Sequence, residues 1–291
     1  MMPLRPIFAS LSLCVLCLPV LCLRVEAADD SAHVSLRNTV THLLYAEELE
    51  QHYLIDVFLP ARYTPKTSEH QFPKHPVIYI LDSRPNAIIA ASQRSVGGLA
   101  SEIIVGIDYA DENGQPIDSF TAYTRDLTPT YDSNWQTPDS GGAAAFLDFI
   151  NTSVKPLINE RYNVNTRNQT LVGHSFGGLF GLYVLFQHTD AFDRYVISSP
   201  SLWWDNNVSL DLEAKYARSH KNLEKQVFIS VGEREFFSGA QGMVENNNLL
   251  VKRLQARKYS GLTLTQQIFD DENHASVVGV ALIKGIQTVT R

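Results

Sequence analysis

Gly173-His174-Ser175-Phe176-Gly177-Gly178 carries the plainest chemical content in the sequence. The serine follows the apolar run Thr170-Leu171-Val172 and precedes the apolar stretch 179–186. Strand, tight turn and helix in that order make a nucleophile elbow, in which a strained turn holds a seryl hydroxyl out at the end of a sheet. Glycines belong there because the turn brings neighbouring backbone too close for side chains. A glycine-rich turn with a capping serine is the bland alternative, and the strand–turn–helix setting weighs against it. A hydroxyl is a weak nucleophile until a base takes its proton. Ser175 therefore requires a histidine, a carboxylate to orient that histidine, and N–H donors where negative charge develops.

Chain order narrows the choice of base. In the α/β-hydrolase arrangement the nucleophile comes first, then the acid, then the histidine. Of the nine histidines, His188, His220 and His274 follow Ser175. His188 ends the helix after the elbow and His220 lies in a charged segment, so both belong at the surface. His274, in Phe269-Asp270-Asp271-Glu272-Asn273-His274, follows the last strand, where a loop reaches the carboxyl edge of the sheet. His174 is expected to face away from the site and to be structural. The acid should follow the penultimate strand, where Val231-Gly232-Glu233-Arg234-Glu235 offers both Glu233 and Glu235. Spacing does not choose between them, and pairing with Arg234 or Arg253 is the structural use of either. One oxyanion donor is the N–H of Phe176, the residue after the nucleophile. The other should come from Asp82-Ser83-Arg84, after the strand 77–81.

The elements that must hold these groups are legible as short apolar runs alternating with helix-length segments. Strands are predicted at 54–59, 77–81, 103–107, 170–173, 195–197, 227–231 and 264–269. Helices are predicted at 143–158, 178–186 and 243–259, with a last one from Ser276. Most strand runs are continuously apolar, as in strands covered on both faces. The alternation implies an α/β class, with a mostly parallel central sheet and helices on both faces. Residues 108–142 break the rhythm as a long polar, Pro/Gly-rich loop. Phe120, Tyr123, Tyr131 and Trp135 mark it as a lid or pocket wall.

Residues 1–27 read as a secretory signal peptide, with Arg5, an apolar run from Ile7 to Leu23, and a small residue, Ala27, at the cut. A membrane anchor is the alternative. All three cysteines, Cys14, Cys17 and Cys22, lie in this segment. The remainder, 28–291, is then one cysteine-free domain without a disulfide, a thiolate metal site or a cysteine nucleophile, suited to a bacterial periplasm or to secretion. With 24 Lys+Arg against 31 Asp+Glu, the net charge of −7 argues against nucleic acid as a partner. No stretch after residue 30 is long and apolar enough to span a bilayer.

Five segments together resemble the Putative esterase family: Tyr79-Ile80-Leu81-Asp82-Ser83, Arg125-Asp126-Leu127-Thr128-Pro129, the elbow, Ser198-Ser199-Pro200-Ser201-Leu202-Trp203-Trp204, and Glu272-Asn273-His274-Ala275-Ser276-Val277. The resemblance spans roughly residues 35–288. The last two segments are most similar to the branch related to ferric-siderophore esterases. It implies an α/β-hydrolase fold, Ser175 and His274 as catalytic residues, and Glu235 as the acid, three residues after the glycine. By analogy with the family's mycolyltransferases, it puts the second oxyanion N–H on Arg84, although Ser83 stands where the family usually has glycine. Arg125 lies in the family's pocket-side segment and could pair with an anionic part of a substrate, or else form a salt bridge to Asp126 or Asp148. Trp203 and Trp204 could wall an acyl or aryl pocket, with one of the two in the core.

These readings converge on an exported serine esterase that acts on a small-molecule ester, with no metal or organic cofactor implied and a siderophore trilactone as the most specific substrate. A feruloyl or acetyl carbohydrate esterase and an acyltransferase would use the same triad. A binding protein that has lost turnover is the reading from another class. Ser175→Ala would abolish turnover in either enzyme and leave affinity intact in a binding protein.

Overall fold

The strands form where aliphatic and β-branched residues run together, because alternate side chains can then be buried on opposite faces of a sheet. In the computed structural model, which describes residues 38–66, 72–81, 84–92, 101–135, 139–235 and 242–291, there are eight. They are β1 (Thr39–Ala46), β2 (Gln51–Phe58), β3 (His75–Leu81), β4 (Ile103–Ala110), β5 (Val164–His174), β6 (Arg194–Ser198), β7 (Gln226–Gly232) and β8 (Thr263–Phe269). They make one sheet in the order β1-β2-β4-β3-β5-β6-β7-β8. The pairings of β2 with β1 and β4 are antiparallel; the others are parallel.

The two faces bury separate apolar clusters. Val77, Tyr79 and Leu81 of β3 enter one, while Ile78 and Ile80 enter the other. The second cluster is closed by α1 (Arg84–Ser92), through Ala87 and Ala90, and by α8 (Val277–Val289), through Val277, Ala281, Leu282 and Ile286. The first is closed by α3 (Ala143–Phe149), α5 (Phe176–Gln187), α6 (Val208–Ser219) and α7 (Met243–Arg257). This is the expected mostly parallel sheet with helices on both faces, the α/β-hydrolase fold. Each predicted strand lies within an observed one or overlaps it. The edge strand β8 is partly exposed and carries Thr265, Gln266 and Gln267.

From β3 the chain steps to β4 on one side, whereas from β5 it steps outward through β6, β7 and β8 on the other. The crevice outside the carboxyl ends of β3 and β5 is thus a topological switch point, where α/β sheets bind ligands.

Several elements differ from the sequence expectation. The interval 108–142 is not a continuous loop. Strand β4 runs to Ala110, α2 (Phe120–Leu127) is capped by Ser119 accepting the Ala122 N–H at 3.2 Å, and a 3₁₀ turn spans Ser133–Trp135. Helix α2 is short and its sequence, Phe-Thr-Ala-Tyr-Thr-Arg-Asp-Leu, has weak helix propensity, so packing rather than pattern establishes it. The helix predicted at 143–158 is α3, a π turn at Ile150–Val154 and α4 (Lys155–Arg161), with Pro156 in the first turn of α4. Helices α1 and α6 and the edge strand β1 were not anticipated. Residues 1–27, Asp82, Ser83 and the part of 108–142 at 136–138 lie outside the described residues.

Candidate active site

The elbow forms at the end of β5. Ser175 holds φ 57° and ψ −118°, a conformation that side chains rarely adopt, and its N–H donates to the Ser198 carbonyl at 3.0 Å. A Cβ on Gly173 would stand 2.2 Å from the Gly177 carbonyl oxygen, and one on Gly178 would stand 2.9 Å from that of Ser198. One on Gly177 would meet only Leu81 Cβ at 3.7 Å, an ordinary contact. Steric necessity therefore falls on Gly173 and Gly178. The turn leaves Ser175 partly exposed.

His274, on the loop after β8, reaches this hydroxyl: the Ser175 hydroxyl donates to His274 Nε2 at 2.9 Å. His274 Nδ1 donates to Glu235 Oε2 at 2.7 Å. Of the two carboxylates after β7, Glu235 makes this contact, whereas Glu233 accepts the Asp271 N–H at 3.0 Å and braces the exposed loop. Glu235 is 3% exposed. Burial alone would push its carboxyl up. His274, the Ser199 hydroxyl at 2.5 Å and the Gly232 N–H at 2.6 Å outweigh that, so it lies below the usual glutamate range. The result is a buried, ionised carboxylate behind a half-exposed imidazole.

His174 does not face away as expected. Its ring centroid lies 4.5 Å from that of His274, and its Nδ1 is hydrogen-bonded to Ser198 Oγ at 3.0 Å. Burial first, then the neighbouring His274, pulls its pKa down to about 3, so it stays neutral beside His274. Ser201 was also missed: its Oγ stands 3.4 Å from Ser175 Oγ and its N–H donates to the Ser175 carbonyl at 3.1 Å. The serine run after β6 was a visible signal that the sequence reading used only for resemblance.

Phe176 opens α5 and Arg84 opens α1, so the N–H of each lies in a first helical turn without an intrahelical acceptor. Strands β3 and β5 are paired in parallel, so both helices begin at the same sheet edge. Among the described residues, no cluster of three or more His, Cys, Asp or Glu is placed to hold a metal ion.

With this geometry in place, the comparisons with known proteins become specific. The sequence matches the family described as Putative esterase over residues 46–275. The chain belongs to the Putative esterase family. The ferri-bacillibactin esterase BesA of Bacillus subtilis is 32% identical over 232 residues, covering 73% of this chain and 78% of that protein. The structure of a BES protein from Bacillus cereus superposes with a TM-score of 0.73 at 31% identity, covering 91% of this chain and 99% of that one. The siderophore hydrolase EstB from Aspergillus nidulans gives 0.72 at 27% identity, covering 89% and 97% respectively.

Three other positions singled out in this esterase-family chain have different surroundings. The Arg125 guanidinium donates to Asp126 Oδ1 at 2.7 Å, the Leu49 carbonyl at 2.8 Å and the Tyr53 hydroxyl at 3.2 Å. Each of its three nitrogens thus makes a hydrogen bond within the fold, and the side chain forms the salt bridge to Asp126 that the sequence left open as an alternative, while remaining 21% exposed. Trp204 is 0% exposed and donates to the Thr130 carbonyl at 3.1 Å, so it belongs to the core and not to a pocket wall. Trp203 is half-buried and stacks on Trp135 at 4.8 Å, with the Phe176 ring 5.9 Å away. Trp135 and Tyr123, 6.0 and 5.4 Å from Phe176, bring the 108–142 interval against the residue next to Ser175. His188 bonds the Tyr183 hydroxyl at 2.9 Å and His220 stacks on Tyr216 at 4.2 Å; neither reaches Ser175.

Proposed function

We propose that this chain is an exported serine esterase that cleaves carboxylic esters through an acyl-enzyme, with trilactone siderophores as its substrate class. One observation carries the reading: the unbroken hydrogen-bond path from Ser175 Oγ through His274 to the buried carboxylate of Glu235. Such a path lets a hydroxyl act as a nucleophile near neutral pH.

In this scheme the Ser175 oxygen attacks the ester carbonyl carbon as its proton passes to His274 Nε2. Glu235 holds the imidazole in the tautomer that leaves Nε2 free to accept, and stabilises the imidazolium once it forms. The N–H groups of Phe176, in the first turn of α5, and Arg84, in the first turn of α1, receive the oxyanion. The tetrahedral intermediate collapses as His274 returns its proton to the leaving alkoxide. Water, deprotonated by His274, then attacks the acyl carbonyl, and His274 returns that proton to Ser175 Oγ as the carboxylic acid leaves. Side chains and backbone of the chain itself handle every proton and charge in the sequence. Three points support the trilactone: the siderophore esterases among the chain's relatives, the export signal read in residues 1–27, and the aromatic surface of Trp135 and Trp203 beside the nucleophile.

The test is hydrolysis of p-nitrophenyl acetate and of a macrocyclic triserine lactone by the purified protein and by Ser175→Ala. Turnover of both esters that vanishes in the variant supports the reading. Hydrolysis that persists in Ser175→Ala, or a trilactone left intact while simple esters are cleaved, would remove the nucleophile or the substrate class respectively.

A further inference from the structure

Ser199, the first residue after β6, holds φ at 43°, in the left-handed region where any side chain is strained and glycine is not. It is 0% exposed. Its N–H donates to the Ser230 carbonyl of β7 at 2.7 Å, which fixes the turn against the neighbouring strand. Its hydroxyl donates to Glu235 Oε1 at 2.5 Å, and the Gly232 N–H donates to the same oxygen at 2.6 Å. The other oxygen, Oε2, holds His274 Nδ1 at 2.7 Å.

The two carboxylate oxygens therefore have separate duties. With two donors on Oε1, the group can neither rotate nor exchange its oxygens without breaking a charge-assisted bond in a site closed to water. A glycine would adopt this backbone without strain, yet the chain places a serine there and aims its hydroxyl at the acid. Persistent strain of this kind marks a conformation that the surroundings enforce.

We propose that Ser199 is a positioning residue for ester cleavage: its strained backbone directs a buried hydroxyl onto Glu235 Oε1 and so fixes which carboxylate oxygen orients His274. The proposal rests on the serine-esterase reading of Ser175, His274 and Glu235.

Ser199→Gly separates the hydroxyl from the backbone, because it deletes the first and relaxes the second. Kinetics with p-nitrophenyl acetate should show kcat reduced about 10- to 100-fold, the worth of one hydrogen bond to a charged group, with KM unchanged. The thermal midpoint should be equal to or above that of the parent. Ser199→Ala, which keeps the strain, should lose kcat to the same extent and melt lower than Ser199→Gly. In a Glu235→Ala background, adding Ser199→Gly should change kcat less than twofold, since the group it acts through is gone.

A kcat within twofold of the parent in Ser199→Gly would overturn the proposal, as would an undiminished loss in the Glu235→Ala background. Failure of both variants to fold would overturn it too, by making the hydroxyl a requirement of folding and not of turnover. Ser175→Ala, measured alongside, keeps the two ideas apart. Activity retained there defeats the serine-esterase reading itself, whereas an inactive Ser175→Ala beside a fully active Ser199→Gly defeats only the role of Ser199.

Discussion

Two carboxylates, Glu235 and Asp126, are buried at 3% and 0% exposure, and each is paired with a basic side chain. Asp126 accepts from Arg125 at 2.7 Å and from the Tyr53 hydroxyl at 2.6 Å, and burial pushes its carboxyl above the usual range despite these donors. At Glu235 the donors prevail over burial and the carboxyl lies below that range. The partners differ more. Arg125 has no accessible neutral form and directs its remaining nitrogens at Leu49 and Tyr53. A neutral imidazole, unlike a guanidinium, both donates and accepts a hydrogen bond, and the His274 side chain is 35% exposed and in contact with the Ser175 hydroxyl. A buried ion pair becomes machinery when one member exchanges protons and faces the crevice; otherwise it is a clamp.

The sharpest break in that comparison is Ser175→Ala, expected to lower kcat about a million-fold, as removal of a seryl nucleophile does in other triads. Next is Glu235→Ala, expected to lower kcat about ten-thousand-fold with little change in KM. A loss below tenfold would mean that Ser175 and His274 work as a dyad. Asp126→Ala should behave in the opposite sense. We expect a stability loss of about 1–3 kcal/mol in denaturant unfolding, because the half-buried Arg125 loses its carboxylate and the Tyr53 hydroxyl its acceptor, with kcat of the folded fraction near the parent value. Arg125→Leu should raise KM for an anionic ester and a neutral ester by the same factor. A selective rise for the anionic ester would restore Arg125 to the substrate site.

A separate effect is in the pH dependence of stability. The His174 pKa, about 3 in the folded chain against an ordinary 6.5, means that the unfolded chain binds more protons between those values. Its contribution is complete above pH 6.5 and declines as pH falls toward 3. Glu235, also lowered, adds a further loss in the same direction below the ordinary 4.5. The thermal midpoint of the parent should therefore fall on acidification, and His174→Phe should fall less steeply between pH 6.5 and 4.5. Parallel profiles for the two proteins would show that His174 is not held neutral by the fold.

Much of this was legible because the signals are local. The continuous apolar runs gave the central strands, since strands buried on both faces need no polar positions. The elements that escaped have weak local patterns: α2 is held by Ser119 and by packing, and β1 is an edge strand with an exposed Leu43 and Tyr45. The salt bridge of Arg125 to the adjacent Asp126 was among the uses read from sequence, but its other acceptors, Leu49 and Tyr53, lie 76 and 72 residues away and were not visible there. Ser199 was readable as part of a serine-rich segment, but its strained φ and its aim at Glu235 were not.

By itself the sequence determined the class of fold and the place of the elbow at Ser175, because an elbow and a run of buried strands are written within a few consecutive residues. Tertiary structure decided which carboxylate reaches His274, which aromatic residues stay near the surface, and whether a charged side chain serves the site or the scaffold. Ser175 and His274 are 99 residues apart in the chain, and His274 and Glu235 are 39 apart, yet each pair is in hydrogen-bond contact. Contacts of that kind depend on how β5, β7 and β8 align at one sheet edge, a matter of packing that no local spacing encodes.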